Sequence, residues 1–239
     1  MISVCIACYE GSRFIEQQLN SILIQLSAED EVVISDDGST DATVALINGL
    51  MDSRIVWAGI GGRLGVVKNF ERALQHAKGD FIFLADQDDV WLPNKVEVML
   101  ACLRDVNLVV SDCVVVDEQL NMLYPSFFNL RSSRSGLIRN LLRNSYLGCC
   151  IAFRRSLLNY ALPFPSHLPM HDWWLGLLAE TFGGVLYIDQ VLMMYRRHGK
   201  NASLTSERST VALTTQLSWR VSLVIALANR NFSYDKKIC

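Results

Sequence analysis

Asp80-Phe81-Ile82-Phe83-Leu84-Ala85-Asp86-Gln87-Asp88-Asp89 sets an apolar run directly ahead of three closely spaced carboxylates. Phe81 to Ala85 has the length and unbroken hydrophobicity of a strand buried on both faces, as in a parallel sheet. Such sheets open to ligands at the carboxyl ends of their strands, which is where this run delivers Asp86, Asp88 and Asp89. Carboxylates this close repel one another and are costly to ionise together. A hard divalent ion bridging to substrate phosphates removes that penalty. The same run also reads as a solvated acidic turn in which Asp89 or Asn94 caps the following helix.

Working outward, strand-like and helical patterns alternate in the rhythm of βαβ units. Ile2 to Ala7 reads as the first strand. Ile15, Leu19, Ile22, Leu23 and Leu26 follow helical spacing, with Ser12 as its cap. Glu31 to Ser35 is a second strand that ends in Asp36-Asp37-Gly38-Ser39-Thr40-Asp41, where Ser39 or Thr40 can cap a helix through Ile47. Arg54 to Trp57 is a short third strand. The glycine-rich stretch Gly59 to Gly65 leads into a helix carrying Phe70, Leu74 and Ala77. It is not a dinucleotide fingerprint, because the third glycine of that pattern would fall at Leu64.

Beyond the acidic run, Pro93 suits the first position of a helix with Val96, Met99, Leu100 and Leu103 on its apolar face. Leu108 to Val116 is another strand. Pro125 to Asn144 is loop-rich and carries Phe127, Phe128, Arg131, Arg134, Arg139 and Arg143; Leu147 to Phe153 then resumes apolar character. Prolines 163, 165 and 169 punctuate a loop into His171-Asp172-Trp173-Trp174, which opens a helix through Phe182. Val185 to Ile188 and Val191 to Tyr195 are strand-like. Leu213, Leu217, Val221, Val224, Ile225 and Ala228 share one face of a C-terminal helix, which ends in polar Asp235-Lys236-Lys237. The expectation is an α/β fold with a mixed, mostly parallel sheet flanked by helices, plus a C-terminal helical annex.

With 239 residues and 51% apolar content the chain can fill a sizeable core. Its 22 basic and 24 acidic residues give a net charge of -2, which provides no global field for nucleic acid. The seven cysteines are odd in number and lie mostly in apolar stretches, so a disulfide framework is not expected. Cys5-Ile6-Ala7-Cys8 spells C-x-x-C, but with no second pair it completes no zinc set. The N-terminus carries no basic, cleavable leader and no run reaches the length of a membrane span, so an intracellular protein is expected.

Three strand ends meet along one sheet edge: Cys8-Tyr9-Glu10-Gly11, Asp36-Asp37-Gly38-Ser39 and Asp86-Gln87-Asp88-Asp89. A tyrosine face suits a nucleobase, an aspartate accepts from a base N–H, and metal-held carboxylates neutralise a diphosphate. Taken singly, each loop is also ordinary turn chemistry. Together with Gly148-Cys149, His171 to Trp174 and Tyr195-Arg196-Arg197-His198-Gly199, these segments resemble inverting family-2 glycosyltransferases of the GT-A, Rossmann-like fold. The likeness covers the chain to about residue 200. The Asp-Gln-Asp-Asp, His-Asp-Trp-Trp and Tyr-Arg-x-His blocks are similar to those of bacterial surface-polysaccharide transferases, among them rhamnosyltransferases.

The resemblance implies one GT-A domain over residues 1–205, with a nucleotide-sugar half at 1–117 and an acceptor half at 118–205, followed by a helical extension at 206–239. It implies that Tyr9 and Asp37 contact the base and Asp86 the ribose, with Cys8, Glu10, Lys68 and Gln87 completing the donor site. Asp88, with His198 as a further ligand, would hold Mn²⁺ or Mg²⁺, and Asp172 would be the general base. Gly148, Cys149, Trp173 and Trp174 would meet the acceptor, a glycan or lipid-linked oligosaccharide; the donor would be a nucleoside-diphosphate sugar such as dTDP-rhamnose. Cys8 and Glu10 stand where the family usually has Thr and Asn, and the C-terminus is short for the group.

On the residues themselves, Asp172 reads equally as a helix cap, His198 as a structural histidine, and one tryptophan of the pair as core. The base must be ionised at neutral pH, which a helix N-terminus favours. The implied setting is the cytoplasmic side of the membrane, with peripheral contact through the C-terminal helix and the arginines of 131 to 143. A phosphohydrolase is the alternative enzyme, since Asp86-x-Asp88-x-Val90 fits a nucleophilic aspartate motif, but it wants that motif on the first strand and its acidic pair downstream. A nucleotidyltransferase would need a glycine-rich loop directly after the first strand. A non-catalytic sugar-nucleotide-binding module is the remaining alternative.

Overall fold

The computed structural model describes residues 1–198 and 212–238; Gly199 and the 205/206 boundary lie outside the described residues. The chain begins β1 (Ile2–Cys8), α1 (Ile15–Leu23), β2 (Glu31–Asp36), α2 (Thr43–Gly49), β3 (Ile55–Ile60), α3 (Val66–His76) and β4 (Phe81–Asp86). It continues β5 (Val90–Trp91), α4 (Lys95–Cys102), β6 (Leu108–Val116), β7 (Met122–Tyr124), α5 (Phe127–Arg131) and α6 (Leu137–Leu142). The last elements are β8 (Ile151–Arg154), α7 (Leu158–Ala161), α8 (His171–Phe182), β9 (Val185–Arg196) and α9 (Leu213–Ile238).

Among the described residues nine strands form one sheet in the order β3-β2-β1-β4-β8-β6-β9-β5, with β7 paired to β6. β3, β2, β1 and β4 are mutually parallel, β8 runs antiparallel between β4 and β6, and β6 and β9 are again parallel. The expected mixed, mostly parallel sheet is therefore present. Strand order reverses at β1, so the carboxyl ends of β1 and β4 flank the switch point at which such sheets bind ligands. Every residue of β2 and nearly every residue of β1 is buried, which is why these strands read as continuous apolar runs.

Local boundaries differ from the sequence reading where tertiary bonds take over. Ser12 does not cap α1: its N–H donates to Asp41 Oδ2, and the cap position falls on Phe14. Neither Ser39 nor Thr40 caps α2, because the Ser39 hydroxyl and N–H both bind Asp36; the cap position is Ala42. α4 starts at Lys95, beyond Pro93, after Asn94 turns left-handed at φ 68°. The two strand-like stretches near the end are one strand, β9, from which Asp189 and Gln190 are displaced by a register shift against β6.

α9 packs on the core through a face other than the apolar stripe read from sequence. Leu223 and Leu227 are buried on the core, and Trp219 and Ala226 pack beside them. The stripe read from sequence, Leu213, Leu217, Val221, Val224 and Ile225, is exposed.

Candidate active site

At the switch point the chain builds its site from backbone-bonded carboxylates. Gln87 ties the two strand ends together, accepting from the Tyr9 N–H and donating to the Tyr9 carbonyl, both at 2.9 Å. The Asp36 carboxylate accepts from Gly38 N–H, Ser39 N–H and the Ser39 hydroxyl, closing a turn that needs Gly38 at φ 91°. Asp37 accepts from the N–H groups of Leu64 and Gly65 at 2.5 and 2.9 Å, which anchors the glycine-rich stretch beside it. Arg72 fixes the same stretch from below through the Gly61 and Asp36 carbonyls.

These groups line a cavity of about 710 Å³. Cys8, Tyr9, Glu10, Asp37, Asp86, Gln87, Asp88, Gly148, Asp172 and His198 all reach it. Tyr9 is exposed, with the Arg63 guanidinium over its ring at 5.7 Å from the centroid. The Glu10 carboxylate is turned into the neighbouring loop, where it accepts from the N–H and hydroxyl of Thr40. Burial and the surrounding aspartates push the Cys8 thiol well above its ordinary range, so it stays protonated.

The acidic run divides its labour. Asp88 Oδ2 meets His198 Nε2 at 2.7 Å, and the His198 ring stacks on Phe14 at 5.4 Å. Arg196, itself buried, donates to the Asp88 carbonyl, the Glu118 carbonyl and Gln17, while its N–H binds Asp89 Oδ1. Arg196 thus locks the end of β9 onto the acidic loop and sets where His198 stands. Asp86 is pushed up to about 7 by burial and by the charges of Asp88 and Asp172. Asp86, Asp89 and the Cys149 thiol lie close enough to share an ion, and burial raises both Asp89 and Cys149 above their ordinary values. The carboxylate and imidazole pair of Asp88 and His198, open to the cavity, is the donor set that suits Mn²⁺ or Mg²⁺.

Asp172 reaches the same cavity from the first turn of α8. Its Oδ1 accepts the Trp173 N–H at 2.6 Å. The helix terminus does not keep it acidic as expected: burial outweighs the backbone bonds from Trp173 and Gly148 and raises the carboxyl to about 7. Beside it, His171 stacks on Phe70 at 3.9 Å with both ring nitrogens unpartnered, and burial lowers it to about 3, so it remains neutral. A Cβ at Gly148 would sit 3.1 Å from His171 Nε2, closer than an ordinary contact.

Four expected site residues are not at the cavity. Trp173 and Trp174 are core: their indole N–H groups donate to the Asn140 and Ala161 carbonyls, and burial leaves neither a face for sugar. Cys149 is fully buried behind Gly148, and Lys68 points to Glu71 at 2.5 Å on α3. Trp174→Phe should therefore lower stability by about 1–3 kcal/mol through lost volume and a lost hydrogen bond. Thermal unfolding with acceptor kinetics checks this, and a raised KM at unchanged melting temperature would return Trp174 to the acceptor site. Phe14, Asn69, Glu118, Met170, His171 and Tyr195 line the cavity without having been singled out. His171 and Tyr195 sat inside recognised blocks; the others carry no signal in sequence.

A cavity at a parallel-sheet switch point, lined by an exposed tyrosine and several carboxylates, is the place where α/β enzymes that use nucleotides hold their ligands. Residues 3–161 match glycosyl transferase family 2, and the chain belongs to that family. It is 26% identical over 185 residues, 76% of this chain and 71% of the relative, to the Escherichia coli UDP-Glc:alpha-D-GlcNAc-diphosphoundecaprenol beta-1,3-glucosyltransferase WfgD. It is 26% identical over 254 residues, 93% of this chain and 83% of the relative, to the Shigella flexneri dTDP-rhamnosyl transferase RfbG. Its fold matches S. aureus TarS in complex with UDP-GlcNAc at a TM-score of 0.67, 18% identity, 98% of this chain and 73% of that one. The Pyrobaculum calidifontis mannosyltransferase PcManGT, in complex with GDP-Man and Mn2+, matches at 0.62 with 20% identity, 98% of this chain and 64% of that one. No helix among the described residues is long and apolar enough to cross a membrane.

Proposed function

We propose that this protein transfers a sugar from a nucleoside-diphosphate donor to a hydroxyl of a glycan or lipid-linked acceptor, with inversion, in bacterial surface-polysaccharide assembly on the cytoplasmic side of the membrane. The observation that carries this is one cavity lined by Asp86, Asp88, His198 and Asp172 together. Tyr9 stacks on the base, Asp37 accepts from it, Asp86 takes the ribose, and Gln87 keeps the strand ends in register for all three. Asp88 and His198 hold Mn²⁺ or Mg²⁺, which supplies charge neutralisation for the departing diphosphate.

Asp172 accepts the proton of the acceptor hydroxyl as that oxygen bonds to the anomeric carbon from the face opposite the leaving group. The bond from that carbon to the diphosphate oxygen breaks, and configuration inverts. Gly148 leaves room for the acceptor beside Asp172. Residues 1–117 provide the donor side, residues 118–205 the acceptor side, and 206–239 an extension. The relatives act with UDP-glucose and dTDP-rhamnose by name, and dTDP-rhamnose is the donor we favour.

A panel of nucleotide sugars, dTDP-rhamnose, UDP-glucose, UDP-GlcNAc and GDP-mannose, scored for thermal stabilisation with and without Mn²⁺ tests the reading. The true donor at 100 times its Kd should raise the melting temperature by roughly 5–10 °C, and only with the ion. Release of nucleoside diphosphate should then require a diphosphate-linked acceptor. Phosphate release from simple phosphate esters would favour a phosphohydrolase, and donor binding without any turnover a binding module.

A further inference from the structure

α9 leaves its more apolar stripe in solvent. Leu213, Leu217, Val221, Val224 and Ile225 are 81, 61, 51, 47 and 56% exposed along one side of the helix, while Leu223 and Leu227 on the other side pack on the core. An exposed apolar surface of this extent marks an interaction site. The stripe continues onto α6, whose Ile138 and Leu142 are 74 and 58% exposed, and Arg220 of α9 donates to the Leu142 carbonyl.

Immediately beside it lies a second, open cleft of about 530 Å³, to which α6 and its end contribute Arg139 and Arg143 and the preceding loop Arg134. Asp189, put out of line by the register shift of β9, is the lone carboxylate in its lining. Among the described residues none of these arginines forms an ion pair. Ser133, also in the lining, has a buried hydroxyl with no hydrogen-bond partner. Arg131 nearby is held below its ordinary value by burial and by Arg143. The cleft therefore gathers like charge with little to balance it, and α9 carries no acidic residue between Leu213 and Arg230.

We infer that α6 and α9 form a docking surface for an anionic phospholipid bilayer, with the exposed stripe entering the interface and lipid phosphate seated in the Arg134, Arg139 and Arg143 cleft. The two features demand different things of a partner, and a charged bilayer supplies both at once: apolar depth for the stripe and a dense layer of phosphate for the arginines. A second copy of the chain would bring its own arginines to the same place and repel. The surface does not involve the transfer site, so binding and catalysis can be measured apart.

Flotation of the intact chain with phosphatidylglycerol vesicles and with phosphatidylcholine vesicles is the test. The chain should float with the anionic vesicles and not with the neutral ones, and inorganic phosphate at equal charge should not displace it. Arg134→Glu with Arg143→Glu should lower the bound fraction about tenfold or more. Val221→Ser, Val224→Ser and Ile225→Ser together should leave binding at low salt but make it disappear in high salt, where only the apolar part survives screening. Both variants alter exposed side chains, and unchanged melting temperatures would show that they fold. No flotation of the wild-type chain at low salt overturns the inference. So does a dimer in light scattering that the three serine substitutions dissolve, since the stripe would then cover a second copy. Displacement by inorganic phosphate would reduce the cleft to a soluble-anion site and also overturn it.

Discussion

Asp172→Asn is expected to lower sugar transfer by about 10²- to 10⁴-fold while donor affinity stays near that of the wild type. Asparagine keeps the volume and the bond from the Trp173 N–H, but it cannot take a proton from the acceptor. Because the carboxyl ionises at about 7, wild-type turnover should rise as pH climbs through that value, and the variant's residual turnover should lack this limb. Stability should move the other way. The unfolded carboxyl ionises near 3.8 and the folded one at about 7, so between them the folded state holds the extra proton. This contribution is full below about pH 4 and is lost as pH rises through 7. Asp172→Asn should therefore melt like the wild type below about pH 4 and increasingly above it as pH rises from there to about 7, the gap persisting at pH 8. The two measurements separate a base from a buried structural acid, and unchanged turnover on the true acceptor would remove Asp172 from the mechanism.

Asp88→Ala is expected to reduce transfer by about 10³-fold or more and to abolish the dependence of donor binding on Mn²⁺. The fold should survive, because the end of β9 is held to the acidic loop through the Asp88 carbonyl and the Asp89 carboxylate, both of which the substitution leaves in place. His198→Ala should weaken the ion by a smaller factor, about 10- to 100-fold, since it removes one donor and leaves the carboxylate. Isothermal titration with Mn²⁺ plus donor reads binding, and coupled nucleoside-diphosphate release reads transfer. Asp88→Ala with wild-type activity in a chelator would place the ion, or the need for one, elsewhere.

What was legible in the sequence is what short-range pattern controls. Continuous apolar runs such as Ile2 to Ala7 and Phe81 to Ala85 become strands because both faces of a parallel sheet are covered, and helical spacing from Ile15 to Leu26 becomes a helix because one face meets that sheet. Loops at the ends of those strands then gather Tyr9, Asp37, Asp86 and Asp88 by topology alone. Composition could not show that Trp173 and Trp174 point inward. Two adjacent helical residues lie about 100° apart, and which of them meets the core depends on where Asn140 and Ala161 present their carbonyls.

The sequence by itself determined the α/β class, the family blocks and the identity of the carboxylates at the strand ends. Tertiary structure alone decided their chemistry. Asp172 sits at a helix start that favours its charge, yet the residues packed around it remove water and hold it near neutrality, an effect that grows with burial and is invisible to spacing. His198 reaches Asp88 across 110 residues only because Arg196 fastens β9 to the acidic loop. α9 shows the same limit: its sequence is amphipathic either way round, and contact with the core chose Leu223 and Leu227, leaving the longer apolar stripe to face outward.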